Sequence, residues 1–97
     1  MKRPCVYILA RQRNGTLYVG VTADIARRVQ QHRDGEGGAF TRQYKVHQLV
    51  HVEFHTTVLE AIQREKRIKE WRRAWKLELI EHGNPDWRDL YGDLVGL

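Results

Sequence analysis

Cysteine, proline and long apolar runs are all scarce in this chain. Its 97 residues include one cysteine, Cys5, and two prolines. A lone cysteine excludes an internal disulfide and is typical of a reducing compartment. The apolar run near the start covers only residues 5–10, which is too short for a secretion signal or a membrane span. We therefore expect a cytoplasmic protein that has no membrane partner.

Acidic residues are outnumbered by basic ones. The chain has 17 Lys and Arg against 12 Asp and Glu, which gives a formal net charge of +5. The hydrophobic fraction of 41% and the charged fraction of 30% are those of a globular chain, not a disordered one. The length suits one domain over residues 1–97. The positive charge favours a polyanionic partner.

The start of the chain predicts a β-hairpin. Segments 6–9 and 17–21 are apolar and rich in β-branched residues, as strands are. The Asn-Gly pair at 14–15 predicts a two-residue type I′ turn. That turn would set Tyr7 opposite Thr22. Because side chains alternate along a strand, Tyr7, Tyr18 and Gly20 should then share one face of the hairpin.

A helix is predicted next, over Asp24–Arg33. Ile25, Arg28, Val29 and His32 fall at helical spacing on one stripe. Arg28 and His32 therefore border the packed face. Two interpretations are equally open: a snorkelling arginine with an edge histidine, or a pair of functional groups.

A glycine-rich segment, DGEGGAFTRQYK, occupies residues 34–45. Its glycines predict a mobile loop. The polar and aromatic residues at its end, Thr41, Arg42, Tyr44 and Lys45, are types that hold a phosphate and stack on a base. A flexible connection with a basic end is the favoured interpretation, because no phosphate-loop spacing is present.

Residues 49–55 predict the third strand of the sheet. The alternation places Val50, Val52 and Phe54 on one side of the strand. The residues expected on the other side are Leu49, His51, Glu53 and His55. His51 and His55 lie about 13 Å apart on a strand. They cannot share one small ion, and we expect surface histidines.

The longest predicted helix runs from Val58 to Glu81, after a Thr57–Glu60 capping box. Its core stripe consists of Ala61, Ile68, Trp71, Trp75 and Leu79. Glu65 lies inside that stripe, where a carboxylate needs a cation or hydrogen-bond donors. Either Lys69 or Arg72 forms an ion pair with it, or it binds a divalent metal. A shorter helix over Asp86–Tyr91 should pack Trp87 and Leu90 against the core.

Residues 64–76 carry seven basic side chains against two acidic ones. This segment alone accounts for the net charge of the chain. A basic helix face is often only a solvated surface, but this concentration of charge favours nucleic-acid binding. A membrane-surface helix is the rival interpretation, and it is disfavoured because Trp71 and Trp75 are expected in the core.

These motifs together resemble the GIY-YIG nuclease superfamily, in its small stand-alone branch. The resemblance rests on Val6-Tyr7, Tyr18-Val19-Gly20, Arg28 and His32 at their spacings. It continues through Thr41-Arg42, Glu53, the run from Ala61 to Lys69, and Asn84-Pro85 with Trp87. It implies an α/β (α+β) fold in which helices flank a three-stranded antiparallel sheet.

The resemblance also implies a divalent-metal-dependent endonuclease that hydrolyses phosphodiester bonds, in DNA more than in RNA. Tyr7 would act on the attacking water with Tyr18 beside it, and Arg28 would neutralise the phosphate. His32 would donate to the phosphate or shuttle a proton, and Glu65 would hold Mg²⁺ or Mn²⁺. Asn84 is a looser match to the family's late asparagine.

Further basic side chains are expected to contact nucleic acid: Arg27, Arg42, Lys45, Arg64, Arg67, Lys69, Arg72 and Arg73. Without a second DNA-reading domain, recognition should follow substrate structure more than base sequence. A monomer or weak homodimer is expected. The alternative is a nucleic-acid-binding module with the same fold and no hydrolysis. An adaptor that binds an acidic protein has no positive sign in the sequence.

Overall fold

Strand β1 (Cys5–Ala10) is the centre of the sheet in this computed structural model, which describes residues 3–94. It pairs antiparallel with β2 (Leu17–Thr22) on one side and with β3 (Gln48–Phe54) on the other. All six residues of β1 are buried, because strands cover both of its edges and helices cover both of its faces. The predicted three-stranded antiparallel sheet is confirmed.

The register of the hairpin differs from the prediction by two residues. Tyr7 pairs with Gly20, not with Thr22. The connection is longer than a two-residue turn: Arg11 N donates to Thr16 O at 3.1 Å, and Asn14 takes the left-handed conformation with φ of 60°. A shift of two residues does not change which face a side chain occupies. The prediction that Tyr7 and Gly20 share a face is therefore confirmed, although the turn type is wrong.

Strand β3 is interrupted by a bulge. Ile8 pairs with His51 and Leu9 pairs with Leu49, so Val50 has no partner opposite it. Leu49 and Val50 are both fully buried, in the cores on opposite faces of the sheet. The predicted simple alternation, with the side chains at 50, 52 and 54 on one side, is wrong because the bulge reverses it.

In the part of the chain that the structure describes, five helices accompany the sheet: α1 (Ile25–Arg33), α2 (Ala39–Tyr44), α3 (Val58–Glu70), α4 (Arg73–Gly83) and α5 (Tyr91–Leu94). The first predicted helix is confirmed as α1, capped by the Asp24 carboxylate, which accepts from Arg27 N at 3.3 Å. Helix α2 forms inside the segment that was predicted to be a loop. Within residues 3–94, no helix is both long and apolar enough to cross a membrane.

The predicted long helix is two helices. Trp71 and Arg72 have extended backbone conformations, with ψ of 149° and 156°. The break turns Trp75 out of the core, where 46% of its surface is exposed. Trp71 is only half-buried, and the Arg64 guanidinium covers its ring at 5.1 Å. The single helix and the buried position of Trp75 were wrong predictions.

Two apolar cores lie on the two faces of the sheet. On one face, Val6, Ile8, Val19 and Val50 pack with side chains of α3, α4 and the tail: Ala61, Ile68, Ile80 and Trp87. On the other face, Tyr7, Leu9 and Leu49 pack with Ile25 and Val29 of α1. The helix that supplies Glu65 thus lies across the sheet from the helix that supplies Arg28 and His32.

The segment after α4 is held by Asn84 and is not the predicted helix over Asp86–Tyr91. The buried Asn84 amide donates to Val50 O at 3.1 Å and to Arg88 O at 2.9 Å, and its Oδ1 accepts from Arg88 N at 3.0 Å. Trp87 has φ of 56°, which is incompatible with a helix, and its side chain is buried. Asn84 therefore has a structural role.

Candidate active site

Tyr7 is the buried centre of a polar cluster between the sheet and α1. Its ring extends over β2, and the residue that pairs with Tyr7 on that strand is Gly20. A Cβ atom at Gly20 would lie 2.5 Å from both Cζ and Oη of Tyr7. Position 20 therefore requires glycine because the phenol occupies the space that any side chain would need.

The Tyr7 hydroxyl begins a chain of hydrogen bonds that ends on a backbone carbonyl. It lies 3.1 Å from His32 Nε2, and His32 Nδ1 lies 3.0 Å from Thr41 Oγ1. Thr41 in turn donates to Gly38 O at 3.3 Å. A hydroxyl has one proton, so Thr41 accepts from an Nδ1–H group of His32. Nε2 then carries no proton and accepts from Tyr7.

Arg28 binds the other side of the same phenol oxygen. Its Nε donates to Tyr7 Oη at 3.3 Å, and its two terminal nitrogens donate to Gln31 Oε1 at 3.2 Å and to Gly37 O at 3.3 Å. A guanidinium has five N–H groups, so two of them have no partner within residues 3–94. The side chain is held in place and still has donors for an anion.

Burial and charge keep this cluster neutral apart from Arg28. Burial raises the pKa of Tyr7, and the hydrogen bond from Arg28 only partly offsets that effect. Burial, together with the positive charge of Arg28, lowers the pKa of His32 from 6.5 to about 4. The hydrogen bond to Tyr7 raises the pKa of Arg28. Near neutral pH the site holds a phenol, a neutral imidazole and a guanidinium.

Tyr18 connects this cluster to the protein surface. Its ring centroid lies 6.1 Å from that of Tyr7 and 5.2 Å from that of His32. A shallow pocket lies beside Tyr18 and is lined by Leu17, Val19, Phe40, Lys69 and Lys76. Basic residues of α3 and α4 are thus brought to the outer edge of the tyrosine site.

Glu65 lies beside that edge and forms the predicted ion pair with Lys69. Its Oε2 is 3.2 Å from Lys69 Nζ, and its side chain is 14% exposed. Arg72, the other predicted partner, instead covers the Trp75 ring at 4.8 Å. Lys69 also lines the Tyr18 pocket, so the ion pair connects Glu65 to that pocket.

The oxygen atoms of the Glu65 carboxylate are ligands that suit a hydrated hard metal ion. Residues 3–94 contain no group of three or more His, Cys, Asp or Glu side chains placed to bind one metal. Mg²⁺ is commonly held by one or two carboxylates, several waters and substrate phosphates. A single carboxylate meets that pattern, so an ion here would be held jointly with the substrate.

Arg64 was predicted to contact nucleic acid, but its side chain is bound within the protein. Its Nε donates to Glu53 Oε1 at 2.7 Å. His51 and His55, predicted as surface histidines, each lie 3.0 Å from the same carboxylate. Burial alone would raise the pKa of Glu53, yet hydrogen bonds from these three side chains lower it to about 2. The cluster joins β3 to α3.

The other predicted contacts fall into three groups. Arg73 donates to Asn14 O at 2.8 Å and to Gly15 O at 2.7 Å, which fixes the hairpin loop to α4. Arg27 lines a surface pocket together with Arg28. The remaining ones are exposed side chains on the surface: Arg42, Lys45, Arg67, Lys69 and Arg72.

Two residues that build the site were not identified from the sequence in these roles. Thr41, which the sequence placed in a connection favoured to be merely flexible, fixes the tautomer of His32. Gly37 allows the His32 ring its place, because a Cβ atom there would lie 2.0 Å from Nδ1. A glycine five residues after the histidine, or a threonine nine residues after it, gives no signal of such a contact in one sequence.

Comparison with known proteins agrees with this architecture. A family model described as the GIY-YIG catalytic domain matches residues 3–78. A UPF0213 protein from Staphylococcus saprophyticus is 37% identical over 83 residues, covering 86% of this chain and 100% of the relative. One from Haloquadratum walsbyi is 44% identical over 68 residues, covering 70% of this chain and 76% of the relative.

A solved structure supports the same assignment. The solution NMR structure of a UPF0213 protein from Bacillus halodurans matches 93% of this chain and 95% of its own, with a TM-score of 0.56 and 28% identity. The GIY-YIG domain is typical of nucleases, which generally use divalent metals. The family match spans most of the chain, and the chain belongs to the GIY-YIG catalytic domain family.

Proposed function

We propose that this protein is a divalent-metal-dependent endonuclease that hydrolyses phosphodiester bonds in DNA, with selectivity for substrate structure. The observation that carries the proposal is the hydrogen-bond chain from Arg28 through Tyr7 and His32 to Thr41. An arginine and a neutral histidine converge on one buried phenol, which is an arrangement that can transfer a proton beside a bound anion. A cytoplasmic monomer or weak homodimer is proposed with it.

Hydrolysis of a phosphodiester requires an acceptor for the proton of the attacking water. Tyr7 can take that proton on its oxygen while passing its own proton to His32 Nε2. The imidazolium that forms keeps its Nδ1–H bond to Thr41, so the transfer requires only protons to move. The relay moves the proton away from the phosphate and leaves the phenol neutral, in agreement with its raised pKa.

The relay is unfavourable until substrate binds. With a pKa of about 4, protonating His32 at neutral pH costs about 4 kcal/mol. A bound phosphate supplies negative charge beside Arg28 and so raises the basicity of His32. His32 would therefore be a weak base in the free enzyme and a stronger base in the complex with substrate.

Arg28 is proposed to bind the phosphate that is cut. Its two remaining N–H donors suit two phosphate oxygens, and its charge persists at any pH of interest. Arg27 lies along the same pocket and can contact a neighbouring phosphate. Both contacts place fixed positive charge beside the reacting group, and such preorganised electrostatic stabilisation is usually the largest single contribution to catalysis.

Glu65 is proposed to hold Mg²⁺ or Mn²⁺ together with the substrate. A bound divalent ion lowers the pKa of water and neutralises charge on the phosphate. Binding it requires the carboxylate to exchange its Lys69 partner. Such a partly exposed ion pair is worth about 0.5 kcal/mol or less, so the exchange is inexpensive.

A binding module without hydrolysis is the second candidate, and the Glu65–Lys69 pair is the observation that favours it. Cleavage of a labelled panel distinguishes the two: single strand, duplex, flap and junction, as DNA and RNA, with Mg²⁺, Mn²⁺ or chelator. A nuclease is expected to cut DNA when Mg²⁺ or Mn²⁺ is present and to cut nothing in chelator. A protein that binds the panel and cuts nothing with either metal is the binding module.

A further inference from the structure

We propose that the strand bound beside Tyr7 is unpaired, and that its bases stack on an aromatic surface formed by Tyr18, Phe40 and Tyr44. The inference rests on the proposed nuclease function and names the substrate class of the same site. It follows from three features of this surface: its exposure, its continuity with the buried phenol and the cations beside it.

The outer part of the surface is exposed although it is aromatic. Phe40 is 45% exposed and Tyr44 is 40% exposed. They stand four residues apart on α2, with ring centroids 4.8 Å apart. Two large rings held together on the surface of a small protein indicate a contact with another molecule.

The surface is continuous with the candidate active site. Phe40 lies 6.1 Å from Tyr18 between ring centroids, and Tyr18 lies 6.1 Å from Tyr7. Helix α2 also carries Thr41, which holds His32. The same short helix thus positions the proton acceptor and presents the exposed rings, so a base on Phe40 would lie close to the phosphate at Arg28.

The chemistry of these rings selects an unpaired strand. Phe40 has no polar atom with which to read a base edge or bind a phosphate, so its contact with a nucleotide is stacking. In a duplex, neighbouring bases cover one another's faces, and an outside ring can stack only on a base that is unpaired or extruded. Stacking also tolerates any base, because every base has a face on which a ring can stack.

Cations border the rings where the backbone of that strand would pass. Lys69 and Lys76 line the pocket that Tyr18 and Phe40 share, and Arg42 lies between the two exposed rings in sequence. Within residues 3–94, the other two exposed aromatics, Phe54 and Trp75, differ because an arginine covers each ring. The Arg3 guanidinium lies 4.4 Å from the Phe54 ring centroid and the Arg72 guanidinium 4.8 Å from that of Trp75, and the groove beside Trp75 includes Glu78. Charge complementarity to a polyanion thus favours the surface on α2.

The test is equilibrium binding measured in chelator, so that binding is measured without metal-dependent cleavage. A labelled single-stranded DNA and a blunt duplex of equal length are titrated with wild type, with the double variant Phe40→Ala/Tyr44→Ala and with Val58→Ala/Leu59→Ala. The last pair removes two exposed apolar side chains, 53% and 64% exposed, at the start of α3. Thermal melting verifies that each variant is folded.

We expect wild type to bind the single strand more tightly than the duplex. The α2 double variant should lose about tenfold or more for the single strand and little for the duplex, while the α3 variant matches wild type. Tighter binding of duplex by wild type, or unchanged single-strand binding by the folded α2 variant, overturns the inference. Absent cleavage with metal would instead count against the nuclease and leave this binding result standing.

Discussion

Tyr7 donates its phenolic proton to Nε2 of His32 across 3.1 Å, and the opposite ring nitrogen of His32 is fixed by Thr41 at 3.0 Å. Of the two neutral tautomers, only the one with its proton on Nδ1 satisfies both contacts. Burial and the positive charge of Arg28 lower the pKa of His32, so the folded protein opposes protonation of this histidine, and stability and activity should both depend on it.

His32 is expected to make the fold less stable as the pH falls below neutral. Its pKa is about 4 when folded against 6.5 ordinarily, so the unfolded chain binds more protons between these values. The contribution of His32 is complete above pH 6.5 and is lost as the pH falls toward 4, by up to about 3 kcal/mol. Denaturant unfolding at a series of pH values measures it.

Glu53 does not interfere with that measurement above pH 4.5. Its pKa is lowered from 4.5 to about 2, so its stabilising effect is lost only as the pH falls through that lower range. His32→Gln should flatten the loss between pH 6.5 and 4.5, and His82→Gln, an exposed histidine on α4, should not. An unchanged slope in His32→Gln would contradict the assignment.

Gly20→Ala tests the position of the Tyr7 ring. The new Cβ would lie 2.5 Å from Tyr7 Cζ and Oη, so the ring must move and the bond to His32 must lengthen. We expect a loss of about 1–3 kcal/mol in the free energy of unfolding and a sharp fall in cleavage. Gly83→Ala is the matched control, because nothing lies within 4 Å of that position. Equal effects of the two substitutions would refute the prediction.

Glu65→Gln separates metal binding from a structural ion pair. The side chain of Lys69 is 51% exposed, so losing the pair should cost about 0.5 kcal/mol or less. If Glu65 holds the metal, cleavage collapses while DNA binding in chelator persists or tightens. Glu70→Gln on the same helix is the control. Retained cleavage, or a large loss of stability, would refute the metal role.

Arg64 and Arg67 should differ although they lie one turn apart on α3. Arg67→Gln is expected to reduce the salt dependence of single-strand binding by about 0.7 in logarithmic slope, as for one phosphate contact, with no change in stability. Arg64→Gln removes a donor from the partly buried Glu53 carboxylate and should cost about 1–2 kcal/mol. Melting curves and salt titrations of both variants measure these effects. A loss of stability in Arg67→Gln and a reduced salt dependence in Arg64→Gln would contradict the assignment.

The sequence was sufficient to predict the arrangement of the two tyrosines. Apolar alternation sets which face each strand residue occupies, and that property survives an error of two residues in register. Tyr7, Tyr18 and Gly20 consequently share a face although the Asn-Gly turn was wrongly typed. The helical stripe likewise brought Arg28 and His32 to the packed side of α1.

Contacts between distant segments were beyond a pattern argument. The break at Trp71 and Arg72 contains neither proline nor glycine, and the apolar residues on both sides of it keep helical spacing. The sequence pattern therefore predicted a single helix. Helix α2 was hidden because the glycines before it indicated a loop. The bonds of Arg64 to Glu53 and of Thr41 to His32 depend on how elements pack, and a residue's charge alone did not separate a structural partner from a nucleic-acid contact.

The most direct test of the central claim is metal-dependent cleavage by wild type against Tyr7→Phe. The substitution removes one oxygen from a buried site and keeps the ring, so binding in chelator should change little. We predict that wild type cuts a labelled single-stranded DNA with Mg²⁺ or Mn²⁺ and that Tyr7→Phe is slower by about 100-fold or more. Cleavage at the wild-type rate by Tyr7→Phe, or none by wild type with either metal, would contradict the account.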